Sequence, residues 1–127
     1  MKPGVEIKGS SLRFTVWAPE KKKMILHVLT PSDIEIEMKQ EPGGYFTTET
    51  DKAGRGSLYF YKPDGIKDFP DPASAFQPQG VHGPSQVVDY SSFNWHDSGW
   101  RGIARKDLVI YEIHTGTFSK EGNFAGI

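Results

Sequence analysis

Five short runs of alternating apolar and polar residues, spaced roughly every eleven or twelve residues, occupy the first half of the chain. Turn sequences such as Thr30-Pro31-Ser32-Asp33 and Glu41-Pro42-Gly43-Gly44 separate them. The runs lie at residues 11–17, 23–29, 34–38, 45–49 and 57–62. Alternation places every second side chain on one face of a strand, and this spacing is typical of all-β sandwiches and barrels. The pattern predicts an all-β fold, and we favour a sandwich.

Residues 70–89 read PDPASAFQPQGVHGPSQVVD and interrupt this pattern. Their prolines fix the backbone and remove donors, while the glycines permit turns, so we expect a kinked loop rather than a helix or strand. A solvated linker would not carry so many apolar residues. Those in and around the loop include Phe69, Phe76, Val81, Val87, Val88, Tyr90, Phe93, Trp95 and Trp100. We therefore expect the loop to press against another part of the protein.

A different kind of strand is predicted where residues 107–114 read DLVIYEIH. The apolar residues there are continuous, which is the pattern of a strand buried on both faces, as in parallel sheets. No crossover helix or second βαβ unit follows it. The predicted organisation is a sandwich at 1–66, an aromatic and proline-rich linker at 67–106, and the beginning of a second domain at 107–127.

Composition and charge exclude several classes of partner. The chain has 127 residues, 36% of them hydrophobic, and a formal net charge of -1, with its basic residues scattered. We expect no nucleic-acid partner. The absence of cysteine excludes disulfides and thiolate metal sites. We find neither a signal-peptide pattern nor about twenty consecutive apolar residues, so we expect no membrane partner and a cytoplasmic protein.

Glu112 and His114 lie two positions apart on the predicted second-domain strand and therefore share one face. Together with His82 and His96 they are the residues that could act as ligands of a metal ion. No close histidine pair accompanies them, so we expect no metal and no cofactor. We expect Glu112 and His114 instead to be paired with neighbouring groups, since a buried carboxylate requires a partner.

Aromatic residues suggest a possible sugar-binding surface. Trp17, Tyr59 and Tyr61 could form a flat platform against which sugar rings pack. The alternative is that these side chains fill the core or an interface, because large aromatics dominate burial there. In that case Trp17 packs at the edge of the sandwich, and Trp95 and Trp100 hold the loop against the second domain.

Four segments together resemble the malto-oligosyltrehalose trehalohydrolases, glycosidases of the α-amylase superfamily. They are LRFTVWAP at 12–19, the loop sequence at 70–89, FNWHDSGWRG at 93–102 and LVIYEIHTGTFSKEGNF at 108–124. The Trp-Ala-Pro strand end and the YEIH strand also resemble branching and debranching enzymes. The Asp-Pro-Ala-Ser and Gly-Val-His-Gly-Pro-Ser sequences are more particular to the trehalohydrolases.

This resemblance implies an immunoglobulin-like (early-set) β-sandwich followed by the first strand of a truncated (β/α)8 barrel. Such enzymes hydrolyse the α-1,4 bond next to the terminal trehalose of malto-oligosyl trehalose and release trehalose. Their aspartate nucleophile and glutamate acid, about 5 Å apart, come from the ends of later barrel strands. No carboxylate of this chain matches either one, so we expect the chain alone to be inactive.

The resemblance also implies partners for the chain: its own catalytic barrel, and in the parent protein a maltooligosaccharide-type substrate. For Glu112 and His114, support of the barrel site is the alternative to pairing with neighbouring groups. The residues expected at the interface between sandwich and barrel are Asp71, Pro72, Ser74, His82, Ser85, Trp95 and Trp100. Alternatives are a stand-alone α-glucan-binding module, the same domain of a branching or debranching enzyme, or a non-carbohydrate interaction domain.

Overall fold

The computed structural model describes residues 1–127, apart from the side chain of Ser92. Eight β-strands form two antiparallel sheets, with strand orders β1-β2-β6-β5 and β4-β3-β7-β8. We call them the first and the second sheet. The strands are β1 (Gly4–Lys8), β2 (Ser11–Trp17), β3 (Met24–Val28), β4 (Ile34–Glu37), β5 (Lys39–Glu41), β6 (Tyr45–Thr50), β7 (Leu58–Pro63) and β8 (Ser85–Gln86). The predicted all-β sandwich is confirmed.

One hydrophobic core joins the inner faces of the two sheets. Alternate residues of β2 and β3 point into it, as the period-two pattern requires. The edge of the Phe14 ring meets Tyr59 of the opposite sheet, with ring centroids 5.0 Å apart. The buried apolar residues are Leu12, Phe14, Val16, Met24, Leu26, Val28, Met38, Phe46, Ala53, Tyr59, Tyr61 and Val87.

The run predicted at 34–38 belongs to two strands in different sheets. β4 pairs with β3, whereas β5 pairs with β6, so the chain crosses from the second sheet to the first at Met38. Met38 is buried, and its amide donates to the carbonyl of Met24 at 2.9 Å. A buried apolar side chain at the crossover keeps the two sheets joined at this corner.

The sandwich extends beyond the predicted boundary at residue 66. Met1–Phe93 form one compact unit and Asn94–Ile127 a second. Within the first unit, β8 pairs with β7, and Phe69 pairs with Tyr61 in an isolated bridge. Much of the segment predicted as a linker at 67–106 is therefore part of the sandwich, because its backbone pairs with β7.

The second unit contains only short helical turns. They are 3-10 turns at Arg105–Asp107 and Phe124–Gly126 and an α-helical turn, α1, at Thr115–Phe118. Among the described residues no β-strand follows Gln86, so the strand predicted within 107–127 is not formed here. A strand needs a neighbour to satisfy its backbone groups, and none pairs with this segment. None of the described helices has the length and apolar character of a membrane span.

Candidate functional site

The loop formed by residues 72–84, here called the 72–84 loop, has a closed and buried base. Asp71 and Ser85 flank it, and the Asp71 amide donates to the Ser85 hydroxyl at 2.9 Å. Both residues are buried. A further backbone bond runs from Gln86 to the carbonyl of Phe76 at 2.9 Å. These contacts fix where the two ends of the loop leave the sandwich.

The Asp71 carboxylate connects the loop base to the core. One oxygen accepts from the Tyr59 hydroxyl at 2.7 Å and the other from the Ala73 amide at 2.7 Å. Burial raises the pKa of Asp71 above its ordinary value, while these two hydrogen bonds act in the opposite direction. Burial, together with the Asp71 charge, also raises the pKa of Tyr59. The carboxylate therefore serves as an acceptor that holds β7 and the loop together.

The nearby Tyr61 hydroxyl is buried without a hydrogen-bond partner among the described residues. Burial, followed by the charge of Asp71, raises the pKa of Tyr61 well above its ordinary value. Asp71, Tyr59 and Tyr61 are all buried, so a substrate has no access to this cluster, and the bonds of Asp71 serve to hold the loop base in place.

The tip of the 72–84 loop is exposed and apolar. Phe76 is 52% exposed and Val81 is 74% exposed. Side chains of the loop bond to its own backbone: the Ser74 hydroxyl donates to the Phe76 carbonyl, and the Gln77 amide donates to the Val81 carbonyl, each at 3.0 Å. The loop thus presents apolar side chains on a backbone that is already ordered.

The residues predicted for the domain interface differ in burial: some are inside the sandwich and others are on the surface. Asp71 and Ser85 lie inside the sandwich, where another domain cannot reach them, so for these two residues the prediction is wrong. Their burial follows from the pairing of β8 with β7. Pro72, Ser74 and His82 remain on the surface of the 72–84 loop. Trp95 and Trp100 are exposed in the second unit.

The three residues of the predicted sugar platform also differ in exposure. Tyr59 and Tyr61 are each 2% exposed and pack edge to face with centroids 5.7 Å apart, so no sugar ring can stack on them. For these two residues the prediction is wrong. Both faces of β7 are apolar, and the sequence did not indicate which would turn inward. Trp17, by contrast, is 55% exposed.

The indole of Trp17 is held in place at the end of β2. Its Nε1 donates to the Gly43 carbonyl at 3.0 Å, and Tyr45 lies opposite it on β6. Gly44 has φ +81°, and a Cβ there would lie 2.6 Å from Cα of Pro19, so only glycine fits. The turn before β6 is consequently locked against the chain that follows β2, and the indole is fixed with it.

Glu112 and His114 are exposed in the second unit. His114 Nδ1 lies 3.2 Å from the Thr117 hydroxyl, a local contact at the start of α1. Among the described residues no group of three or more histidine, cysteine, aspartate or glutamate side chains could hold a metal ion.

Comparisons with known proteins agree with the sequence motifs. No profile of a known protein family matches the chain. A malto-oligosyltrehalose trehalohydrolase from Saccharolobus solfataricus is 40% identical over 124 residues, which is 98% of this chain and 22% of the relative. The Deinococcus radiodurans protein of the same name is 37% identical over 116 residues, 91% of this chain and 18% of the relative. A branching enzyme from Bacillus caldolyticus is less similar, at 30% identity over 123 residues, 86% of this chain and 18% of the relative.

The fold is found in solved structures as well. The crystal structure of a putative α-amylase from Salmonella typhimurium superposes with a TM-score of 0.79 and 36% identity, covering 94% of this chain and 20% of that one. The chain thus spans about a fifth of the length of the relatives it matches. Over nearly its whole length the chain is therefore similar to a portion of the malto-oligosyltrehalose trehalohydrolases, and its β-sandwich matches part of an α-amylase structure.

Proposed function

We propose that the chain is the non-catalytic sandwich region of a trehalohydrolase, and that the 72–84 loop is its contact with the catalytic barrel. The main support is the structure of this loop. Asp71 fixes its buried base, and its tip exposes Phe76 and Val81. An ordered loop with exposed apolar side chains loses little entropy on docking. The parent enzyme would release trehalose from malto-oligosyl trehalose.

The hydrolytic chemistry of the parent would lie beyond this region. A retaining glycosidase requires two carboxyl groups about 5 Å apart, one with a raised pKa for proton donation. Active sites of (β/α)8 barrels lie at the carboxyl ends of the strands. We propose that residues 107–127 contribute the first such strand when the remaining strands are present. Val109 and Ile110, nearly fully exposed here, would then be buried. The absence of cysteine fits a cytoplasmic enzyme.

Sequencing the gene beyond the codon for Ile127 tests this proposal. We expect an open frame that alternates strands and helices and supplies an aspartate and a glutamate at later strand ends. The 127-residue chain alone should release no trehalose from malto-oligosyl trehalose, whereas the continued protein should. An immediate stop codon, or trehalose release by the short chain, would contradict the assignment.

A second candidate function is α-glucan binding at the end of β2. Its support is the fixed and exposed indole of Trp17 with Tyr45 opposite it. In that case Trp17→Ala should weaken binding of maltoheptaose at least tenfold, because one aromatic contact contributes about 1.5 kcal/mol. Titration calorimetry measures this, with Trp95→Ala as the matched control. No heat from the unchanged chain at millimolar maltoheptaose would remove this candidate.

A further inference from the structure

His27 lies between two carboxylates on the outer face of the second sheet. Its Nδ1 is 3.0 Å from Asp68 Oδ2, and its Nε2 is 2.9 Å from Asp33 Oδ1. Ionised carboxylates only accept hydrogen bonds, so both ring nitrogens must donate. A neutral imidazole carries one N–H, and the observed arrangement therefore requires the charged imidazolium.

The contacts join parts of the chain that are distant in sequence. Asp33 ends the turn between β3 and β4, while Asp68 follows β7 and precedes the bridge made by Phe69. His27 itself is on β3, the strand between β4 and β7. A single ring thus ties the β3–β4 turn to the segment that leads into the 72–84 loop.

Two further charged side chains face this group. Glu35 lies opposite His27 on β4, and Lys62 of β7 pairs with it. The Lys62 ammonium is also 3.8 Å from Asp68. The cluster therefore contains three carboxylates and two cationic groups when His27 is protonated. Loss of the His27 proton leaves Lys62 as the one cation among these five side chains.

The surroundings of the two carboxylates differ. The side chains of His27, Asp68 and Asp33 are 13%, 32% and 79% exposed, respectively. Burial lowers the pKa of His27, but the hydrogen bonds and charges of Asp33 and Asp68 raise it more, so that the pKa lies above its ordinary value. Water can solvate Asp33 more readily than Asp68, and Lys62 also remains near Asp68.

We propose that His27 is a protonation-controlled clasp, in which the charged ring holds both carboxylates and the neutral ring keeps Asp68 but releases Asp33. In the neutral ring the remaining proton lies on Nδ1, facing the more buried carboxylate. The lone pair on Nε2 then faces Asp33, and the β3–β4 turn, which carries Asp33, separates from the ring. The device is independent of the proposed sugar chemistry.

The direction of the pH effect follows from the raised pKa. Stabilisation by the clasp is fully present below the unfolded value of about 6.5 and is lost as pH rises through the folded value. The β3–β4 turn is therefore held in mildly acidic solution and freed in alkaline solution. The segment that contains Asp68 stays bonded to His27 in both acidic and alkaline solution.

Nitrogen-resolved NMR of the histidine rings across pH 5 to 9 tests the clasp in the full chain. We expect His27 to titrate with a midpoint above 6.5, with Nε2 losing its proton and Nδ1 keeping it. The amides of Ser32 and Asp33 should shift with the same midpoint. A midpoint at or below 6.5, loss of the Nδ1 proton, or turn amides that do not follow the ring would each overturn the proposal.

Two matched variants sharpen the test. Asp33→Asn and Asp68→Asn should both lower the midpoint, because each removes one negative charge next to the ring. The neutral ring should keep its proton on Nδ1 in Asp33→Asn and move it to Nε2, facing Asp33, in Asp68→Asn. Asp33 is largely exposed, so its variant retains the fold. The same tautomer in both variants would contradict the assignment.

Discussion

Phe14→Ala is expected to lower the free energy of unfolding by about 4 kcal/mol. Phe14 is 0% exposed and contacts Tyr59 across the two sheets, with ring centroids 5.0 Å apart. Truncation removes the buried ring and leaves a cavity that neighbouring β-strands cannot close without losing their own hydrogen bonds. Urea unfolding followed by circular dichroism gives the change from the transition midpoint and slope.

Phe76→Ala is the matched control, since it removes the same side chain from the exposed tip of the 72–84 loop. Phe76 is 52% exposed, and its loss should cost less than about 1 kcal/mol. If the loop docks on the barrel, this variant should weaken that association while leaving the sandwich folded. Equal destabilisation by both substitutions would contradict the described position of the core.

Asp71→Ala is expected to cost about 3 kcal/mol. It removes the acceptor for the Tyr59 hydroxyl and the Ala73 amide and leaves buried donors unsatisfied. Asp71→Asn should cost less, because the amide keeps one carbonyl acceptor and burial already disfavours the charged form. Denaturant unfolding of both variants measures these differences.

Asp51→Ala is the control for Asp71, because Asp51 is exposed and its change should stay within about 0.5 kcal/mol. A double-mutant cycle with Tyr59→Phe isolates the bond between the hydroxyl and the carboxylate. We expect the two substitutions to be clearly non-additive. Additive effects would show that the 2.7 Å contact does not couple the loop base to β7.

Asp71 holds the 72–84 loop to the sandwich, and in our proposal the same loop docks on the catalytic barrel. The Asp71 side chain is an internal acceptor, while residues a few positions later form the exposed tip. A loop with a weakened base should lose its ordered tip even though every tip residue is unchanged. The stability of the sandwich and docking of the barrel are therefore expected to depend on the same buried carboxylate.

Local sequence patterns determined much of the fold. Period-two alternation predicted the strands near 11–17, 23–29, 45–49 and 57–62, because side-chain alternation is a property of the strand itself. The motifs at 70–89 and 108–124 indicated the trehalohydrolase relationship, which the comparisons confirm. Neither result required knowledge of which strands are neighbours.

Tertiary structure decided the features that depend on which strands are neighbours. Leu58, Tyr59, Phe60 and Tyr61 are all apolar or aromatic, so alternation could not indicate which aromatics of β7 face the core. In the sheet, where β7 pairs with β3, Tyr59 and Tyr61 face the core. The crossover at Met38 and the bond between Asp71 and Tyr59 likewise need partners from other strands.

His27 illustrates the same limit, since one of its carboxylates is 41 positions away in sequence. Periodicity describes how one segment exposes its faces, whereas a clasp or a buried network forms only when the register of several segments is set. The sequence by itself therefore determined the class of fold and its relatives. Long-range packing decided which polar side chains became partners.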